Sequence, residues 1–87
     1  MKEDQLVYLL ESLLGRSKMA RGGDEAVFTC PNCNHHKKKL TLNKLTQKYQ
    51  CWVCGFKGAR ALQLLKFIKA PYTAFQELQS IDAQYNF

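Results

Sequence analysis

The four cysteines of this chain fall into two pairs, Cys30-Pro31-Asn32-Cys33 and Cys51-Trp52-Val53-Cys54, with 17 residues between the pairs. The spacing C-x2-C-x17-C-x2-C lies within the window of a four-thiolate structural zinc site. Two residues between ligands let a tight turn aim both sulfurs at one point about 2.3 Å away, and two such knuckles complete a tetrahedron. A closed sulfur shell leaves no position for water. One structural, non-catalytic Zn2+ is therefore expected on Cys30, Cys33, Cys51 and Cys54. A rubredoxin-like iron site uses the same four thiolates and stays open on ligand identity alone. Two disulfides would need an oxidising compartment, yet residues 1–14 carry Glu3, Asp4 and Glu11 within their apolar pattern and do not read as a signal peptide. A thioredoxin-like redox pair needs only one C-x-x-C, in an α/β context that 87 residues barely supply.

A chain of 87 residues has room for one domain, with a core small enough to need a staple. Structural zinc supplies on the order of 10–16 kcal/mol in small peptides at neutral pH. The metal-free chain is then expected to be largely unfolded between Phe28 and Phe56. No apolar run approaches the roughly 20 residues that span a membrane, so no membrane partner is expected. The expected compartment is reducing, the cytosol or its equivalent.

The formal charge is +6, and its distribution is uneven. No acidic residue lies between Glu25 and Glu77, an interval holding Lys37, Lys38, Lys39, Lys44, Lys48, Lys57, Arg60, Lys66 and Lys69. Four thiolates with one divalent ion lower the total by two and leave this region basic. A basic stripe without interleaved acids is the footprint of a nucleic-acid binder, with an ordinary lysine-rich surface as the alternative. His35 and His36 join Lys37, Lys38 and Lys39 in a cluster beside the metal, the first choice for phosphate contact. A ligand role for either histidine is superfluous once the cysteine tetrad is complete.

In chain order, residues 3–14 read as an amphipathic helix with Leu6, Leu9, Leu10 and Leu13 on one face, stopped by Gly15. Residues 15–25 read as a polar, glycine-bearing linker. Residues 26–29 form a short strand, residues 39–43 a strand with Leu40 and Leu42 inward, and residues 47–51 the returning strand after a turn at 43–46. On that last strand Lys48 and Gln50 share one face and Tyr49 and Cys51 the other. Gly55 after the second knuckle suits a positive φ, and Asn34 tolerates the same conformation after the first. A helix at 58–69 packs through Ala61, Leu64, Leu65 and Ile68, broadened by Leu62 and Phe67. A shorter helix at 72–81 uses Phe75, Leu78 and Ile81, and the tail from Asp82 reads as disordered or tied to a further domain. The fold class is thus a small α+β domain: a zinc ribbon flanked by N- and C-terminal helices. Its parts are an N-terminal helix and linker (1–25), the ribbon with its following helix (26–70), and a C-terminal helix, tail or linker (71–87).

Phe28-Thr29-Cys30-Pro31-Asn32-Cys33, then Leu40 and Leu42, then Tyr49-Gln50-Cys51-Trp52-Val53-Cys54-Gly55-Phe56-Lys57-Gly58 leading into an apolar helix, resembles the amino-terminal zinc-binding domain of bacterial and phage DNA primases. The likeness covers roughly residues 26–69 and is closest to phage primases with four cysteines; many bacterial ones place a histidine where this chain has Cys33. The resemblance implies a module of DNA replication that binds single-stranded DNA template and helps select where the RNA primer starts. It also implies the primer, a replicative helicase and a catalytic primase domain as further partners. Carried over residue by residue, Cys30, Cys33, Cys51 and Cys54 match the metal ligands. Lys39, Thr41, Lys48 and Gln50 would read bases and phosphates, Lys57 and Arg60 would add charge, and Trp52 or Phe56 would stack on bases. Capping of the metal against solvent is the competing role for Trp52.

Nucleotidyl transfer needs carboxylates to hold magnesium, and none lies between residues 26 and 76. No catalytic site is expected in this chain, which would be either the front piece of a longer primase or a stand-alone module. Two other classes fit the residues: a nucleic-acid zinc ribbon of the transcription or ribosomal type, and a protein-interaction module whose leucine helices dock onto a replication partner.

Overall fold

The computed structural model describes residues 2–33 and 37–85. Helix α1 (Lys2–Leu14) begins with Glu3 and Asp4 in its first turn, where their charge suits the positive end of the helix dipole. It ends where the sequence expects. The Gly15 N–H donates to the Glu11 carbonyl at 2.9 Å, and Gly15 takes φ +94°, open to glycine at no steric cost. The Ser17 N–H and hydroxyl then both donate to one oxygen of the Glu11 carboxylate, each at 2.9 Å. These two bonds, the backbone one first, hold that carboxyl below its ordinary pKa and fix the exit from the helix.

Beyond the helix the chain forms a five-stranded antiparallel meander in sequence order: β1 (Lys18–Ala20), β2 (Glu25–Phe28), β3 (Leu40–Asn43), β4 (Tyr49–Cys51) and β5 (Lys57–Gly58). Strand β1 lies inside the segment whose composition suggests a linker. Arg21, Gly22 and Gly23 all have positive φ there and turn the chain back into β2, with Arg21 paired to Glu25 at 3.4 Å. The paired glycines therefore make a hairpin turn. Between β3 and β4, the Asn43 side-chain oxygen accepts the N–H groups of Leu45 and Thr46 at 2.8 and 3.1 Å. Asparagine favours such turns because its side chain replaces a backbone partner.

Strand pairing assigns every side chain to a face. Ala26, Leu42, Tyr49 and Gly58 are aligned across β2 to β5, and Phe28, Leu40 and Cys51 form the next inward row. Three helices cover this side: α1 through Leu6, Leu9 and Leu10, α2 (Ala61–Phe67) through Ala61, Leu64 and Leu65, and α3 (Tyr72–Asp82) through Ala74, Leu78 and Ile81. A side chain at Gly58 would collide with the Tyr49 ring, so glycine is required there for space. Phe56 packs between Tyr49 and Phe67, with ring centroids 5.5 and 4.6 Å away.

The expected apolar stripe of the second helix holds at Ala61, Leu64 and Leu65 with Ile68 partly buried beside them, while Leu62 and Phe67 are 37% and 46% exposed. The helix is also shorter than the periodicity suggests, because Lys69 takes φ +54°. The N–H groups of Lys69 and Ala70 cap the carbonyls of Lys66 and Leu65 at 3.2 and 3.1 Å, a Schellman closure with lysine where glycine is favoured. Residues 82–85 of the tail are ordered: Tyr85 is buried and donates its hydroxyl to the Lys44 carbonyl at 2.6 Å. Lys2 covers its ring, 4.7 Å from the centroid. No described helix is long and apolar enough to cross a membrane.

Gln47 ties these parts together. It is fully buried at φ +69°, just past the β3–β4 turn. Its side-chain oxygen accepts the Ala61 N–H, an orphan donor of the first turn of α2, at 3.0 Å, and its nitrogen donates to Asp82 of α3 at 2.6 Å. Gln47→Ala is expected to lower stability by about 1–3 kcal/mol, since it strands a buried donor and an acceptor. Lys69→Gly should raise stability by about 1 kcal/mol by removing the left-handed penalty. Urea unfolding of the two variants measures both.

Candidate metal centre and the open sheet face

The two cysteine pairs sit at the end of the inward Phe28–Leu40–Cys51 row. Cys30 lies two residues beyond β2, and Cys51 closes β4. Each knuckle folds around its own leading sulfur. The Asn32 N–H points at Cys30 Sγ at 3.4 Å, and the Val53 N–H at Cys51 Sγ at 3.4 Å. Gly55 takes φ +79° and donates its N–H to the Cys51 carbonyl at 3.1 Å, which closes the second turn. Asn34, the candidate for the equivalent role at the first, lies outside the described residues.

The four sulfurs lie within 4.8 Å of one another, and Cys30–Cys54 and Cys33–Cys51 are each 3.7 Å apart. A tetrahedron of sulfurs 2.3 Å from a central ion has edges of about 3.8 Å. A disulfide would bring two of them to about 2.05 Å. The tetrad therefore has the geometry of a metal site, and all four cysteines are free thiols. The sulfurs differ in their electrostatics. Burial drives the Cys30 thiol up to about 12, against hydrogen bonds from the N–H groups of Cys33 and Asn32 that favour its thiolate. Cys54, at the surface, is lowered to about 6, first by the Asn32 side-chain amide (3.4 Å) and then by the Phe56 N–H. Asn32 is not among the residues singled out from sequence; a hydrogen-bonding residue between paired cysteines is the signal that marks it.

No described helix covers the opposite face of the sheet. The register aligns Lys18, Val27, Thr41, Gln50 and Lys57 in one row across all five strands, about 19 Å at the usual strand spacing. Trp52 borders this row. Its backbone N–H bonds the Lys39 carbonyl at 3.1 Å, and its indole N–H donates to the Thr41 hydroxyl at 3.0 Å, leaving the residue 68% exposed. A groove of about 580 Å³ gathers Thr41, Lys48, Gln50, Trp52 and Lys57. Five of the residues singled out from sequence are thus brought together, and the indole of Trp52 is bonded to Thr41 of this row.

The other candidates stand elsewhere. Lys37 is exposed and Lys38 and Lys39 are half-buried in the segment before β3, and Arg60 is exposed at the start of α2; none of the four lines the groove. His35 and His36 lie outside the described residues. Phe56, the alternative stacking residue, is committed to the aromatic cluster of the core. Lys18 joins the row although its segment reads as a linker. The Gly22-Gly23 pair between two short runs of strand-forming residues is the signal for its strand.

Comparison with protein-family models, with curated proteins and with solved structures finds no match to this chain. Metal analysis of the purified protein should give one divalent ion per chain. Cys51→Ser should lose both the ion and the sheet, seen as loss of ordered circular dichroism, because removing one ligand leaves three thiols with no common partner.

Proposed function

We propose that this chain is a zinc ribbon that binds single-stranded DNA on its open sheet face, as the template-reading module of a DNA primase. The observation that carries the reading is the groove in which Trp52, Thr41, Gln50, Lys48 and Lys57 meet on the one face no described helix covers. Zinc is the ion favoured for the tetrad, because four soft thiolates at tetrahedral spacing suit it and a closed shell suits a structural role. Bound there, the ion would hold the ends of β2 and β4 in register and so hold the face in shape.

The chemistry of that face is suited to an unpaired strand. An exposed indole offers a surface on which a base can stack, and such stacking is worth about 1–3 kcal/mol and needs an unpaired base. The Thr41 hydroxyl anchors the ring, and the Gln50 amide supplies a donor and an acceptor for a base edge. Lys48 and Lys57, with Lys18 at the far edge, supply charge for phosphates. Glu25 at one end of the groove is ion-paired to Arg21. The carboxylates that nucleotidyl transfer needs would come from a catalytic domain or chain, for which this module would present template and primer. The leucine faces of α1 and α2 are buried in the chain's own core, which argues against docking through them.

The test is oligonucleotide binding by fluorescence anisotropy, comparing single-stranded DNA, duplex DNA and RNA across a salt series. Single-stranded DNA should bind tightest. Trp52→Ala should weaken it roughly 5- to 150-fold, the equivalent of about 1–3 kcal/mol, with metal content unchanged. Replacing Lys37, Lys38 and Lys39 by alanine should weaken binding further at low salt and flatten the salt dependence. Preference for duplex or RNA would favour a ribbon of the transcription or ribosomal type, and indifference to all three would remove the nucleic-acid reading.

A further inference from the structure

Most of the acids stand on the helical side of the molecule: Glu3, Asp4 and Glu11 in α1, Glu77 and Asp82 in α3. Helices α1 and α3 pack against one another, and Gln84, just past α3, bonds Gln5 of α1 at 2.7 Å while Lys2 reaches the Gln84 carbonyl at 3.4 Å. The start of α1 therefore lies beside the end of α3, and the two helices run antiparallel. Between them is an open groove of about 460 Å³ with Asp4, Tyr8, Glu77, Ser80 and Ile81 in its lining. Tyr8 is 76% exposed, an aromatic ring left without cover in its own chain. Among the described residues in its lining none is a cation; Lys2 stands at the Gln84 end, bonded to that residue's carbonyl, in a protein whose formal charge is +6.

The antiparallel arrangement puts the two carboxylates at opposite ends. Asp4 lies next to the Gln5–Gln84 bond, and Glu77 is seven residues before Gln84, about 10 Å along the helix axis. We propose that this groove docks an amphipathic helix of a partner protein, with lysine or arginine at positions i and i+7 and apolar residues at i+3 and i+4. Two turns of helix also span about 10 Å, so the two cations meet Asp4 and Glu77 while the apolar pair covers the exposed Tyr8 ring. Charge complementarity selects a basic helix over the acidic or nucleic-acid ligands that suit the opposite, lysine-bearing face. The proposal does not depend on what the sheet binds.

The experiment titrates the metal-loaded, isotope-labelled chain with an end-capped 16-residue helical peptide carrying lysine at i and i+7 and leucine at i+3 and i+4, followed by NMR. Amide shifts are expected at Tyr8, Ser80 and Ile81, with the Thr41–Gln50 face unmoved. A peptide with glutamate for lysine should not bind the groove, and moving the second lysine to i+5 should weaken binding at least threefold. The Asp4→Asn, Glu77→Gln double variant should lose at least threefold in affinity for the first peptide and keep its affinity for single-stranded DNA. Equal binding of all peptides, or shifts confined to the sheet, would overturn the proposal. So would concentration-dependent self-association without peptide that disappears in the double variant, since the occupant would then be a second copy of the chain.

Discussion

Four thiols brought within 4.8 Å of one another are the constraint on which the rest of the structure depends. Four thiolates at that spacing repel, and burial opposes the ionisation of Cys30 in particular. The arrangement becomes favourable when a cation neutralises them. The chain prepares for that outcome with backbone N–H groups at Cys30 and Cys51 and an amide side chain at Cys54, all directed at sulfur. Because Cys51 also ends β4 and pairs in register with Leu40, whatever fixes the sulfurs fixes the inward row of the sheet.

The sheet divides the molecule into two chemistries. Its inner face is consumed by three short helices, none of which is long enough to be stable alone in water. They exist because each has an apolar stripe to bury against the strands and against the others. The outer face keeps the polar half of each strand's alternation, and the meander places those residues side by side. Lys48, Lys57 and Trp52 reach solvent there, while most of the carboxylates stand on α1 and α3. The uneven charge along the sequence thus becomes an uneven charge in space.

Much of this was legible in the residues. The alternation Leu40-Thr41-Leu42 and the pairing of Tyr49 with Cys51 gave β3, β4 and their inward faces. The leucine spacing gave α1 almost to the residue. The misses have physical reasons. Strand β1 is a three-residue edge with only Met19 as a large apolar side chain, so no period stands out. Gln47 reads as an ordinary polar turn residue, because its burial is decided by two helices more than a dozen residues away in sequence. The burial of Tyr85 is hidden likewise: its partners, Lys2 and the Lys44 carbonyl, come from the other end and the middle of the chain. Lys69 hides a helix stop behind a residue type that normally continues one.

The buried Gln47 also bears on how the molecule comes apart. A surface hairpin loop ordinarily frays by itself, at a free energy far below that of global unfolding. Here the loop between β3 and β4 cannot open without releasing the first amide of α2 and the last turn of α3. Slow exchange of the Ala61 amide with solvent deuterium, at a rate set by loss of the whole structure, would be the signature of a single cooperative unit.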